Sequence, residues 1–241
     1  VDKNTVRCAD ETYECEHLII CTGSQTVIPP IQGIDQVSYW THRDALDNKE
    51  LPRSLAIVGG GVIGMEFASF FSSLGVQVTV IEMMNEILNG IDRELAASLR
   101  TEYSKKGVKF LLGAKVTSLS QDDEGIHVHY ENADGANSIC ADKLLMSVGR
   151  RPVTEGFGLE NLNLELTERR HIRVDAYLRT SVPGVYVCGD LNGVSLLAHT
   201  AVREAEIAVK DILGEPEEMS YRAIPGVVYT NPEIASVGQT E

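Results

Sequence analysis

Hydrophobic positions along the chain switch between two periods. Ser54 to Val58 is a short, almost unbroken apolar run, the pattern of a strand covered on both faces. After Gly59-Gly60-Gly61, apolar residues recur from Val62 at Ile63, Phe67, Phe70, Phe71 and Leu74, which is helical spacing with one face buried. Gly75 is placed to end that helix. Val76 to Ile81 reads as the next strand, Arg93 to Lys106 as a second amphipathic helix closed by Gly107, and Val108 to Leu112 as a third strand. Strands alternating with helices predict a parallel sheet.

The pattern then changes. Lys115 to Leu119, Gly125 to Tyr130 and Ser138 to Cys140 are short β-rich runs between Asp, Asn and Gly turns, and they predict an antiparallel meander. Upstream, Val6-Arg7-Cys8 and Tyr13-Glu14-Cys15 predict a hairpin about the polar stretch 9–12, followed by a strand from His17 to Cys21. Thr41-His42-Arg43-Asp44 has the spacing of a capping box ahead of a short helix. Pro29-Pro30 and Leu51-Pro52-Arg53 punctuate the chain as boundaries. Downstream, Lys143 to Val148 and Val185 to Cys188 predict strands, and His199 to Leu213 an amphipathic helix.

Composition narrows the function classes. The 241 residues, 43% hydrophobic and 23% charged, have the balance of an ordinary globular protein with room for one large domain or two smaller ones. No apolar run is long enough to span a bilayer, and no signal-like pattern opens the chain, so neither membrane insertion nor export is expected. A formal net charge of −14 repels phosphate backbones and argues against nucleic acid as a partner. It does not oppose a dinucleotide held by backbone N–H groups at a helix start. The five cysteines, Cys8, Cys15, Cys21, Cys140 and Cys188, form no C-x-x-C pair. Cys21 and Cys188 end apolar runs and read as small buried hydrophobes in a reducing compartment. His127 and His129 share a strand face, but with no further ligand nearby they read as a polar surface, and no metal site is expected.

The strongest motif is Gly59-Gly60-Gly61-Val62-Ile63-Gly64. It follows a strand, opens a helix, and is followed by a second strand ending at an acid, Glu82, which is the context a bare glycine pattern needs. Gly59 makes the tight turn, Gly61 lets a pyrophosphate approach the backbone, and Gly64 lets helix and strand pack closely. Glu82 would accept hydrogen bonds from the adenosine ribose and repel a 2′-phosphate, and Met83-Met84 offers no basic partner, so NAD is expected over NADP.

The order Thr22-Gly23-Ser24, then the glycine motif, then Gly149-Arg150-Arg151-Pro152, then Gly189-Asp190 resembles the two-dinucleotide-domain flavoprotein reductases, the pyridine nucleotide-disulfide oxidoreductases. Leu196-Leu197-Ala198-His199, and the long run from Pro225 to Gly238, resemble the lipoamide dehydrogenase (dihydrolipoamide dehydrogenase) branch. The resemblance implies an α/β fold in which a Rossmann-type NAD-binding domain, a parallel sheet plus an antiparallel meander, is inserted into part of an FAD-binding domain. It implies residues 1–52 as the end of the first FAD segment and linker, 53–151 as the NAD domain, 152–215 as the returning FAD segment and 216–241 as the start of a dimerisation domain.

By the same resemblance, NAD would be held by Gly59, Gly60, Gly61, Val62, Ile63, Gly64, Glu82, Val116 and Gly149, with Glu66 positioning the nicotinamide against the flavin. FAD would lie along Thr22, Gly23 and Ser24, with Asp190 on the ribityl hydroxyls and Leu197, Ala198 and His199 nearby. The family's FAD glycine motif, its C-x4-C redox cysteines and its His–Glu base are not found in this sequence, so no catalytic residue is expected here. The expectation is a central fragment of an enzyme that passes electrons from a dihydrolipoyl dithiol through a cysteine disulfide and FAD to NAD. The fragment alone would bind NAD and be inactive. The parent would be a homodimer in the cytoplasm, or the mitochondrial matrix in a eukaryote, serving the dihydrolipoyl domain of a 2-oxoacid dehydrogenase, acetoin or glycine-cleavage complex. An NADH oxidase, another disulfide reductase of the family, or a non-catalytic NAD-binding module are the alternatives.

Overall fold

A computed structural model describes residues 2–238. In chain order the elements begin with β1 (Thr5–Cys8), β2 (Glu11–Glu14), β3 (Leu18–Ile20), β4 (Ser24–Thr26), β5 (Tyr39–Trp40) and α1 (His42–Asp47). There follow β6 (Ser54–Val58), α2 (Val62–Ser73), β7 (Gln77–Ile81), α3 (Arg93–Lys105) and β8 (Lys109–Leu111). Next come β9 (Lys115–Gln121), β10 (Ile126–Asn132), β11 (Gly135–Ala141), β12 (Lys143–Met146) and β13 (Arg150–Pro152). The last elements are β14 (Val185–Val187), α4 (Ala198–Ile212), β15 (Gly226–Val228) and β16 (Ile234–Ser236).

The central sheet is parallel, in the order β5-β12-β6-β7-β8. Its strands read as continuous apolar runs because both faces are covered. Leu55, Ile57, Val78, Val80 and Leu145 face α2 and α3, in one core with Met65, Ala68, Phe71, Leu99 and Tyr103. The alternate residues Ala56, Val58, Ile81, Leu144 and Met146 face the antiparallel β9-β10-β11 meander, packing on Leu119, Ile126, Val128 and Tyr130. Each of these large side chains contributes about 1.5–3 kcal/mol by leaving water. This is the Rossmann-type arrangement the periodicity predicts, with meander strands that run longer than the sequence pattern alone suggests.

Local chemistry sets the helix ends. Thr41 and Asp44 form the expected capping box on α1, with the Thr41 N–H donating to Asp44 Oδ2 at 2.7 Å. Asp92 caps α3 by accepting from the Glu94 and Leu95 N–H groups at 2.9 and 3.1 Å. Around this unit, β3 pairs in parallel with β14, and β4 pairs antiparallel with β13. Strands more than 160 residues apart in sequence thus share a ladder, and the chain between them leaves that small sheet and returns to it.

Two expectations are corrected here. The buried face of α2 is Gly64, Met65, Ala68 and Phe71, whereas Phe70 is 55% and Leu74 47% exposed. Gly64 and Ala68 let the helix backbone approach the sheet, and Met65 and Phe71 fill the core on either side of that contact. Cys21 is exposed while Cys188 is 2% exposed. Cys21 sits one residue beyond β3, where the chain starts to leave the sheet. Among the described residues no helix is long and apolar enough to cross a membrane. None of them forms a group of three or more His, Cys, Asp or Glu placed to hold a metal, and His127 instead lies 2.9 Å from Asp122 Oδ2.

Candidate functional site

The β6–α2 connection forms a cradle whose glycines have separate physical reasons. Gly59 has φ +105°, and a Cβ there would lie 2.4 Å from the Ser147 carbonyl oxygen at the end of β12. A Cβ on Gly64 would lie 2.1 Å from the Gly59 carbonyl oxygen and 2.8 Å from Ser147 Oγ. The Ser147 hydroxyl also donates to the Gly59 carbonyl at 3.0 Å, so β12 braces the turn. Gly61 differs, with an ordinary φ of −71° and no protein atom within 4 Å of the place a Cβ would occupy. Gly59 and Gly64 are therefore required by the protein itself, while Gly61 keeps open the space in front of the α2 N-terminus, beside Val62 and Ile63. The free N–H groups and positive dipole end of the helix suit a pyrophosphate there.

Glu82 closes the cradle. Its Oε2 accepts from the Gly60 N–H at 2.6 Å and its Oε1 from the Met84 N–H at 2.7 Å. Both oxygens are engaged by the backbone, and each keeps a lone pair for a ribose hydroxyl. The loop beyond is held by the Leu88 N–H on the Gly60 carbonyl at 2.8 Å. It is held also by Arg100, which reaches Glu86 through Nε at 2.7 Å and Nη2 at 2.9 Å. The hydrogen bonds from Arg100 keep the Glu86 carboxyl below its ordinary range. Met83 and Met84, which follow Glu82 in the chain, are uncharged and 64% and 46% exposed.

The remaining predicted NAD residues are less convergent. Val116 is half-buried on β9 against the meander core, two residues beyond Ala114, whose N–H donates to the Glu82 carbonyl at 2.9 Å. Gly149 has φ +127° and open space around it, and its carbonyl accepts from Val27 at 3.0 Å. Glu66 lies on the next turn of α2, where its Oε1 accepts from the Tyr229 N–H at 2.9 Å. It also lines a cavity of about 350 Å³ with Leu46, Leu51, Phe67, Phe70 and Phe71.

A second cluster brings together the flanking motifs. The Ser24 hydroxyl donates to Asp190 Oδ2, and the Thr22 hydroxyl to the Val153 carbonyl at 2.7 Å. Val153 in turn donates to the Gly23 carbonyl at 2.9 Å. Arg150 joins the two motifs: its Nε donates to Ser24 Oγ at 2.6 Å, its Nη2 to the Ser24 carbonyl at 2.7 Å, and its Nε lies 3.7 Å from Asp190 Oδ2. Asp190 Oδ1 accepts no hydrogen bond among the described residues, which leaves a carboxylate oxygen suited to a polyol hydroxyl. Leu197 stands at the N-cap of α4, Ala198 and His199 form its first turn, and Ala201 packs against Gly189.

Sequence reasoning assigned no role to three residues, one of them, Arg150, a member of the Gly149-Arg150-Arg151-Pro152 motif. Ser147 and Arg150 flank the noticed Gly149, but their partners are 88 and 126 positions away and leave no local trace. Glu204 is fully buried on α4, accepting from the Gly189 N–H at 2.6 Å and the Tyr221 hydroxyl at 2.8 Å. Its signal was an acid on the apolar face of a helix, seven residues after Leu197 and three before Ile207.

Comparison with known proteins places this geometry. Residues 1–205 match the family described as pyridine nucleotide-disulphide oxidoreductase. The chain is 39% identical over 249 aligned residues to a dihydrolipoyl dehydrogenase of Haloferax volcanii, covering 100% of this chain and 52% of that protein. It is 40% identical to dihydrolipoyl dehydrogenase 3 of Pseudomonas putida, covering 97% of this chain and 50% of that protein. Among solved structures, the HOCl-induced flavoprotein disulfide reductase RclA from Escherichia coli superposes with a TM-score of 0.91 at 32% identity, over 100% of this chain and 55% of that one. The chain spans about half the length of the curated relatives it matches.

Proposed function

Because this chain belongs to the pyridine nucleotide-disulphide oxidoreductase family, which binds FAD and uses NAD, we propose that it is the NAD-binding centre of a dihydrolipoamide dehydrogenase. The observation that carries the reading is the cradle. Gly59 and Gly64 are required by close backbone contacts, Gly61 leaves the helix N-terminus open, and Glu82 stands where an adenosine ribose would end. The residues that would hold NAD are Gly59 to Gly64 and Glu82, with Val116 and Gly149 along its path and Glu66 toward the nicotinamide. Thr22, Gly23, Ser24 and Asp190 would hold the FAD, aided by Arg150 and by the α4 start at Leu197, Ala198 and His199. Residues 53–151 form the NAD-binding unit of this reading, 1–52 and 152–215 the two FAD segments, and 216–241 the start of a dimerisation domain.

In the parent reaction the flavin and nicotinamide supply hydride chemistry. This chain's own residues bind, orient and exclude: the α2 N-terminus neutralises the pyrophosphate, Glu82 selects against a 2′-phosphate, and Arg150 fixes Ser24 and Asp190. The dithiol would be a dihydrolipoyl group on a 2-oxoacid dehydrogenase, acetoin or glycine-cleavage complex, and the parent a homodimer. The likeness to RclA supports a second reading, a family reductase acting on another disulfide. Fluorescence titration of the 241-residue chain with NADH and NADPH tests the cradle. NADH should bind at least about tenfold more tightly, a difference of about 1.4 kcal/mol. Equal affinities would overturn the assignment of Glu82. Dihydrolipoamide-dependent NAD reduction should be absent from this chain alone, and measurable turnover would refute that reading.

A further inference from the structure

The β3–β14 ladder places two cysteines side by side. Its register pairs Leu18 with Val185, Ile19 with Tyr186 and Ile20 with Val187, so the next pair in line is Cys21 and Cys188. The Cys188 N–H donates to the Ile20 carbonyl at 3.2 Å, and Cys188 keeps an extended backbone (φ −130°, ψ 154°), so the ladder reaches this pair. In-register neighbours on parallel strands point to the same side. Ile20, Val185 and Val187 face one core, while Ile19, Tyr186 and Cys188 face α4. Both thiols belong to the α4 side. Paired strands run about 4.8 Å apart, inside the 4.4–6.8 Å Cα separation that a disulfide spans. One member is exposed and the other buried, the arrangement of an attacking and a resolving thiol.

We propose that Cys21 and Cys188 form a redox site that exchanges electrons with low-molecular-weight disulfides. The Cys21 thiolate attacks one sulfur of the external disulfide, forms a mixed disulfide and expels one thiolate. Cys188 then attacks Cys21 Sγ, breaks the mixed disulfide and expels the second thiolate, and the two departing thiolates take up the two cysteine protons. The two cysteines lose two electrons to the external disulfide, which leaves as two thiols.

The electrostatics suit Cys21 as the first nucleophile. The hydrogen bond from the Cys188 thiol brings Cys21 down to about 7. That same bond and burial push Cys188 up, with the buried Glu204 carboxylate adding to the effect. The product bond would join the two strands whose next residues carry Thr22-Gly23-Ser24 and Gly189-Asp190, so the oxidation state would be felt at that cluster.

The test equilibrates the purified chain with glutathione and glutathione disulfide at pH 7, then quenches, alkylates and digests it with trypsin and Glu-C. Digestion isolates Cys21 within residues 17–43 and Cys188 within 180–203. A covalent link between these two peptides is expected as the main oxidised product, while Cys8, Cys15 and Cys140 carry only glutathione or stay free. A stable glutathione adduct on Cys21 with Cys188 unlinked would overturn the proposal, and this measurement needs no variant. In the reduced chain, Cys21 should react with iodoacetamide about threefold faster than the thiol of a short unstructured cysteine peptide. Its thiolate fraction is about fifteenfold higher, and its lower basicity costs about fivefold in nucleophilicity. Cys188→Ala should erase that advantage, and an unchanged rate would count against the pair.

Discussion

Replacing Gly64 and Gly61 by alanine makes the same chemical change three residues apart and should give opposite readouts. At Gly64 the new methyl would lie 2.1 Å from the Gly59 carbonyl oxygen and 2.8 Å from Ser147 Oγ. Carbon–oxygen contacts settle near 3.3 Å, so α2 must shift from β6 by about 1.2 Å. Overpacking of this kind costs about 1–3 kcal/mol. Alanine's helix preference returns up to about 1 kcal/mol, leaving a net loss of about 1–2 kcal/mol and a fall in melting temperature of about 2–8 °C. At Gly61 the methyl meets no protein atom within 4 Å, and φ −71° suits alanine. The loss at an N-cap stays below about 1 kcal/mol, but the methyl fills the space in front of the helix N-terminus. NADH affinity should then fall at least tenfold, about 1.4 kcal/mol. Thermal melts and NADH titrations of both variants decide the matter. A Gly64→Ala chain melting with the wild type, or a Gly61→Ala chain binding NADH unchanged, would refute the division of labour among these glycines.

Three further outcomes follow from the same geometry. Glu82→Ala leaves the Gly60 and Met84 N–H groups without their carboxylate; it should cost about 1–3 kcal/mol in urea unfolding and move the NADH-to-NADPH affinity ratio toward NADPH. Tyr103, 1% exposed, bonds Ser69 Oγ at 2.6 Å and receives the Asn231 N–H at 3.0 Å. Tyr103→Phe should cost about 1 kcal/mol and speed amide exchange in residues 226–236, with unchanged exchange counting against that anchor. Asp211 accepts from Arg179 Nε at 2.7 Å and from the Tyr186 hydroxyl at 2.8 Å. The hydrogen bond from Arg179 holds its carboxyl below the ordinary 3.8. A folded-state value below the unfolded one stabilises above pH 3.8, and that contribution disappears as the pH falls through the folded value. Asp211→Asn should therefore lower stability at pH 7 and flatten the acid limb of the stability curve; an unchanged limb would remove Asp211 from the acid response.

The legible part of this protein is local. Strand β6, helices α2 and α3, the Gly75 and Gly107 stops and the Thr41 box stand in the sequence because their causes lie within a few residues: hydrophobic period, caps and turn glycines. The glycine motif and Glu82 were legible for the same reason, as one strand–turn–helix–strand unit. Periodicity could say that α2 is amphipathic but not which stripe is buried. The choice of Gly64, Met65, Ala68 and Phe71 over Phe70 and Leu74 came from how closely the helix approaches the sheet.

What only the tertiary structure decided are contacts across long separations. Ser24 and Asp190 are 166 positions apart, and Arg150 reaches Ser24 across 126. Cys21 and Cys188, unrelated in sequence, become neighbours because β3 and β14 share a parallel register. Strand pairing is set by burial summed over a whole sheet, and no single segment carries that information. The amino-acid order therefore determined the helices, the longer strands and the glycine-rich turn before α2, while the pairing of distant strands decided the short strands β4, β5 and β13 and which thiols, carboxylates and guanidinium groups face one another.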